Sequence, residues 1–389
     1  MANEVMREHI RNLRVAVAAP LVAALVFVSA TLAEAHGPAA ATVAEAGCET
    51  PSIGFMGPLT GSAAFIGKEQ LGFARHAIRR LGGGQVRLFE SDTQLDPRQA
   101  ARAASGMHAD RNVLAVVGPA ASREVLAVAP VFRRGNRLAF ISGSALSVRL
   151  TNGSIPNFFR VVPNDSVQSP TVARYVRKVL KAKLVVVVDD RTAYSRRLAD
   201  GVQARLRAGG VEVRRTAVEK SETDFSATVS RVPAGTDVVF LPWSAAANAQ
   251  IFAGRLRAQG NRAIIFGSDS LDSEDFTSAG AYVTAFAPDI RGIEANADFI
   301  RGYRGRFVSN FGPPVYVAVQ AALLAIRRAC ADGAATRAEV QRLLKRTHLR
   351  PTVLGRELRF TARGDAKGAT FSIFKLGTGG QKALVAWTG

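Results

Sequence analysis

The chain is 389 residues long, with 48% hydrophobic and 21% charged residues and a formal net charge of +20. That length exceeds one ordinary domain, and that composition excludes a disordered or fibrous polypeptide. The basic excess is mostly Arg and is scattered, with no dense basic block interleaved with aromatics, so it argues against a nucleic-acid partner despite its sign.

Arg7, Arg11 and Arg14 precede an apolar run over residues 15–33, and Ala33-Glu34-Ala35 sets small residues at the two positions a signal peptidase reads. This order predicts an exported chain whose signal peptide occupies residues 1–35. A retained membrane anchor is the alternative, weakened by Pro20 and the many alanines. Charges within 1–35 cancel, so the mature chain keeps +20. Residues 36–49 read as a linker. The two cysteines are Cys48 and Cys330. Export would permit a disulfide. Lipidation of Cys48 fits poorly, because Glu45 stands where an apolar residue is wanted.

Past the linker, short β-rich runs alternate with helical stretches. PSIGFMGPL (51–59) opens with a strand. Residues 68–81 place Leu71, Ala74, Ala77, Ile78 and Leu81 on one helical face. GGGQVRLFESD (82–92) is a turn followed by a strand. In DPRQAARAASGMHAD (96–110), Asp96 caps a helix and Pro97 takes its first position. LAVVGP (114–119) is a strand broken at Gly118-Pro119. A helix then runs to Phe132, and LAFIS (138–142) is the next strand. This βαβαβ order predicts an α/β fold with a doubly wound parallel sheet.

NFFRVVPNDSVQSP (157–170) is rich in turn formers and reads as a crossover to a second, similar unit. There, helices are predicted over 168–182, 196–208, near 224–231 and up to Gln259. They alternate with strands KLVVVVDD (183–190), VEVRRTAV (211–218), DVVFLPW (237–243) and AIIFGSD (263–269). Residues 294–346 read as mostly helical. The tail reads as β-rich, with turns at Gly364 and Gly377.

In open α/β sheets ligands bind at the carboxyl ends of the strands. Ser122, at a strand-to-helix turn, can offer an anion its hydroxyl together with helix N–H groups and the positive end of the helix dipole. The plainer reading is an N-cap. Asp269 follows a buried strand and can accept a ligand ammonium, or else cap the next turn. Tyr194 and Trp243 can wall a pocket, or else pack against their own unit.

Catalytic signatures are absent. The glycines at 82–84 precede a strand, and there is no G-x-S-x-G and no P-loop lysine. Of the five histidines, His9 and His36 lie in or beside the signal, and His76, His108 and His348 sit in helical or turn contexts without acidic partners nearby. The chain is expected not to be an enzyme, with no metal and no cofactor.

Seven segments carry a family resemblance: IGFMGPLTGSAAFIG (53–67), ESDTQLDPRQA (90–100), VVGPAAS (116–122), FISGSALSVRLT (140–151), FFRVVPNDSVQSP (158–170), VVDDRTAYSRRLADG (187–201) and FGSDSL (266–271). In this order and spacing the chain resembles, over about residues 50–386, the periplasmic substrate-binding proteins of type I fold that serve branched-chain amino acid ABC transporters, the leucine/isoleucine/valine-binding family. The resemblance implies two α/β lobes joined by three hinge crossings around a ligand cleft. The first lobe would hold 50–163 and 289–371, the second 164–288 and the tail 372–389. Ser122 matches the serine that binds an α-carboxylate, and Ala145 matches a backbone contact beside it. Asp269 matches the acid that binds the α-ammonium. Tyr194 matches an aromatic that closes over the amino acid, and Trp243 falls near another. Phe65 matches an aromatic beside the ligand side chain. Cys48 and Cys330 would share a lobe, which allows a disulfide between them.

One departure stands out. The family commonly has Ala-Thr after the third strand, where this chain has Ala145-Leu146 flanked by Ser144 and Ser147. One hydroxyl contact is lost or moved, and such a contact to a charged group is worth about 1.5–3 kcal/mol. The implied function is a solute-binding protein, periplasmic or on the extracellular face of the membrane. It would close as a monomer on a small amino acid or related carboxylate or amide and deliver it to the membrane permease of an ABC importer. Alternatives are a ligand-sensing receptor domain of the same fold, a binder of amides, urea or aromatic acids, and a surface protein using its +20 charge on polyanions.

Overall fold

The computed structural model describes residues 46–387 except 62, 83, 220 and 308. The predicted signal peptide and most of the predicted linker lie outside the described residues.

Five parallel strands form the first sheet, in the spatial order Arg87–Asp92, Ser52–Gly57, Val113–Val117, Ala139–Ser142 and Phe158–Arg160. Val113–Val117 is apolar throughout and buried throughout, as a parallel strand covered on both faces must be. Helices Ala64–Leu81 and Gly312–Ala329 share one core cluster with this sheet, and helices Pro97–Ala109 and Ser122–Phe132 share another.

Seven strands form the second sheet, in the order Lys382–Trp387, Ser372–Leu376, Tyr282–Ala285, Ile264–Gly267, Val238–Leu241, Leu184–Asp189 and Glu212–Ala217. Five are mutually parallel; the two from the tail pair antiparallel at one edge. Helices Asp165–Lys178 and Ala193–Ala208 cover one face, and Ala246–Ala258 covers the other.

The chain therefore passes between the two halves three times. It leaves the first sheet after Arg160 and returns after Ala285 to supply Gly312–Ala329 to the first core. It then re-enters the second sheet at Ser372. Cys48 and Cys330 are joined by a disulfide, with their Cα atoms 5.6 Å apart. Beside it, Ala46–Gly47 pairs with Ala334–Ala335.

Several boundaries differ from the sequence reading. The helix expected over 168–182 spans Asp165–Lys178, because Asn164 caps it by accepting the Ser166 N–H. The helix expected from 196 starts at Ala193, where the Thr192 side chain accepts the Ser195 N–H. The segment read as a crossover holds an edge strand, Phe158–Arg160, and the first turns of a helix.

Candidate functional site

The strand Val113–Val117 ends at Gly118, whose φ is +110°. A Cβ there would lie 2.1 Å from the Met56 carbonyl oxygen, so only glycine fits this turn. Ala121 is the N-cap of helix Ser122–Phe132, and the buried Glu124 carboxylate accepts its N–H at 2.8 Å. Ser122 is the first helical residue and not the cap. Its Oγ accepts the Ser147 N–H at 3.1 Å. Among the described residues, the N–H groups of Ser122 and Arg123 meet no acceptor. They leave the helix mouth an anion-attracting surface.

The loop after strand Ala139–Ser142 is fixed from beneath. Ser142 Oγ donates to the Pro119 carbonyl at 2.7 Å and accepts the Ala145 N–H at 3.0 Å. Ser144 Oγ donates to the Ala120 carbonyl at 2.8 Å and accepts from Gln70 Nε2 at 3.0 Å. Arg160, fully buried, donates through Nη1 to the carbonyls of Ala145 and Ser147, each at 2.9 Å, and pairs through Nε with Asp365 at 2.7 Å.

The second half contributes an acidic cluster. Asp269 follows strand Ile264–Gly267 and is buried. Its Oδ1 accepts from the Tyr194 hydroxyl at 2.7 Å and from Gln168 Nε2 at 2.5 Å. Burial pushes the Asp269 carboxyl above its ordinary range, and these two donors pull it back. Burial and the adjacent Asp269 hold the Tyr194 hydroxyl well above its usual pKa, so it stays a donor. Asp165, at the start of its helix, is pushed up to about 6, by burial first and by the Asp269 charge second, against the pull of Arg197 and Arg160.

A cavity of about 410 Å³ joins these groups. Ser122, Ser144 and Leu146 line it from the first half, and Asp165, Tyr194 and Asp269 from the second. Ile66, Leu126, Phe286 and Phe311 add apolar walls, and Arg149 and Arg197 stand at it as cations.

Three expected contacts are corrected. Trp243 is 1% exposed and packs on Phe225 and Phe252, with its indole N–H donated to the Val188 carbonyl at 2.6 Å. It belongs to the core of the second half. Phe65 is 47% exposed and does not line the cavity; its neighbour Ile66 does. Ala145 is buried, with its N–H spent on Ser142 and its carbonyl on Arg160.

Sequence reasoning missed Asp165, Gln168 and Arg160. The first two had a signal: they stand at i and i+3 on one helix face once the helix starts at Asp165. Arg160 had none, since its partner Asp365 lies 205 residues away.

Residues 50–381 match the family model described as periplasmic binding protein. The Leu/Ile/Val-binding protein BraC3 of Rhizobium johnstonii is 29% identical over 341 residues, which cover 83% of this chain and 91% of that protein. The branched-chain amino acid transporter substrate binding protein LivJ of Streptococcus pneumoniae, solved in complex with isoleucine, superposes with a TM-score of 0.74. It is 23% identical, with 87% of this chain and 100% of that one covered. A solute binding protein of an ABC transporter from R. palustris, solved with benzoate, superposes with a TM-score of 0.70 at 17% identity. There 87% of this chain and 96% of that one are covered. The match over 50–381, together with two doubly wound sheets crossed three times by the chain, makes this protein a member of the periplasmic binding protein family, with its type I fold.

Proposed function

We propose that this chain is the solute-binding component of an ABC importer and holds a small amino acid between its two halves. One observation carries the reading: a single cavity of about 410 Å³ has a helix mouth with unused N–H groups at Ser122 and Arg123 on one side and the Asp269 carboxylate, held by Tyr194 and Gln168, on the other. The first suits a carboxylate and the second an ammonium. The apolar walls suit an aliphatic or aromatic side chain. The names of BraC3 and LivJ point to the same ligand class. The lobes would be 50–163 with 289–371, and 164–288 with the tail. The three passages between the sheets would act as hinges that close on the ligand. Export to the periplasm or to the extracellular face of the cell membrane, a monomeric state and delivery to a permease belong to the same proposal.

A second reading is a carboxylate that lacks an ammonium. Leu146 brings an apolar side chain to the cavity where the family commonly has a hydroxyl, and a relative of the same fold was solved with benzoate.

The test is calorimetry on refolded, ligand-stripped protein, titrated with the proteinogenic amino acids and then with amides, urea and aromatic carboxylates. Micromolar or tighter binding of an amino acid, lost in Ser122→Ala and in Asp269→Ala, supports the first reading. Binding of a carboxylate alone, insensitive to Asp269→Ala, selects the second. No binding across the panel by folded protein overturns both.

A further inference from the structure

We propose a second binding site on this chain, for a multivalent phosphate anion, in a basic groove at the far ends of the two helices whose near ends build the cavity. The groove encloses about 570 Å³. Arg174, Arg177 and Lys178 enter it from the C-terminal half of helix Asp165–Lys178, and Arg205 from the last turns of helix Ala193–Ala208. Arg174 is nine residues past Asp165, about 14 Å along the helix axis at about 1.5 Å per residue. The groove and the amino acid cavity have no lining residue in common.

Three observations favour an anionic occupant. None of the groove's lining residues is acidic. Among the described residues, none of the four cations has an ion-pair partner, so no neighbouring acid neutralises the groove. Gly209 lies beneath Arg177: a Cβ there would come within 2.6 Å of Arg177 Cδ and 2.8 Å of its Nη1. The missing side chain lets the guanidinium lie along the groove. Cations in a last helical turn complement the helix carbonyls. That accounts for Arg177, Lys178 and Arg205, but not for Arg174 a turn before Arg177, nor for a concave wall without one acid.

Guanidinium forks match phosphate oxygens in geometry and hold their charge at every physiological pH. Four cations around one concavity suit an anion with several negative charges. Thr370, just ahead of strand Ser372–Leu376, also lines the groove, so an anion bound there would touch one of the three passages between the halves.

The probe is inorganic tripolyphosphate, titrated calorimetrically into the purified chain at fixed ionic strength, with phosphatidylglycerol vesicles as a parallel arm. The expected result is one saturable site. Arg174→Gln/Arg177→Gln should weaken it at least about tenfold. Arg304→Gln/Arg306→Gln removes the same charge from exposed positions outside the groove and should change it less than about twofold. Should the first pair fail to fold, Lys178→Gln alone is expected to weaken binding about threefold. Equal weakening by both pairs would mean that binding follows net charge, and would overturn the site. So would absence of saturation, or binding to the vesicles without binding to the free anion. Amino acid binding is read in a separate titration, so the two proposals fail independently.

Discussion

Ser122 Oγ accepts the Ser147 N–H across 3.1 Å, which ties the first turn of one helix to the loop after the next strand. The bond explains why a serine begins this helix without capping it: Ala121 holds the cap position, and the hydroxyl faces across the cavity wall. A ligand carboxylate at the helix mouth would meet the remaining hydroxyl proton and the free N–H groups together.

Ser122→Ala should therefore act twice. It leaves the Ser147 N–H without its acceptor, at a cost of about 1 kcal/mol in urea unfolding. It also removes a donor from the ligand, which should raise the Kd about tenfold or more. A variant that loses stability but binds as before would leave Ser122 only the first of these roles.

Asp165 predicts a pH signature. Its carboxyl is raised to about 6 from 3.8, so the folded protein takes up its proton at a higher pH than the unfolded chain does. Between those values the folded state binds more protons, so this group's contribution to stability falls as pH rises from about 4 to about 6. Asp165→Asn removes that penalty. It should melt above the wild type at pH 7.5, with the gap closing as the pH is lowered through 6 toward 3.8. If an ammonium is bound beside the ionised Asp165 and Asp269, amino acid affinity in the wild type should weaken below pH 6, and less so in the variant.

Much of this architecture could be read from local signals. A buried apolar run broken by Gly118-Pro119, and Asp96 ahead of Pro97, mark their elements without help from the rest of the chain. The Asp96 side chain does accept the Gln99 N–H, at 2.7 Å. The misses are non-local. Phe158–Arg160 is three residues long and ends in a charge, and it becomes a buried edge strand because Asp365 and two loop carbonyls meet that charge. Tyr282–Ala285 is four residues long and carries too little local signal to mark a strand; it lies between a parallel neighbour and a tail strand about 90 residues later. Trp243 follows a strand end, where ligand contacts gather, yet its indole turns back to Val188.

That inward turn gives a sharp test of the corrected site. Trp243→Phe loses a buried donor to the Val188 carbonyl and some packing, at a cost of about 1–3 kcal/mol. Its ligand Kd should stay within about twofold of the wild type once folding is confirmed. A larger loss of affinity would return the indole to the binding site.

The disulfide should matter to stability and not to binding. It joins residues 282 apart in sequence and closes a long loop in the unfolded chain. Cys48→Ser/Cys330→Ser should lose about 2–4 kcal/mol, with the amino acid Kd unchanged, because neither residue lines the cavity. Thermal melts with and without reductant check this: reductant should lower the wild type toward the double variant and leave the variant where it is.

Arg160 is the most demanding case, because one buried cation anchors a loop that itself lines the site. Its Nη1 holds the carbonyls of Ala145 and Ser147, its Nη2 donates to Thr151 Oγ1 at 2.5 Å, and its Nε holds Asp365. Arg160→Met keeps much of the volume but leaves the Asp365 carboxylate without its cation and the Ala145 carbonyl without its donor, which should cost about 3–5 kcal/mol. Arg160→Met/Asp365→Leu should recover part of that by removing the unpaired charge, though the Ala145 carbonyl would still lack a partner. Ligand affinity separates the two effects. Ser144 and Leu146 line the cavity from the segment that Arg160 pins, so both variants should bind more weakly than the wild type even where the double variant is the more stable of the two. If affinity instead tracked stability and recovered with it, the role of Arg160 would be to hold the fold and not to position the loop.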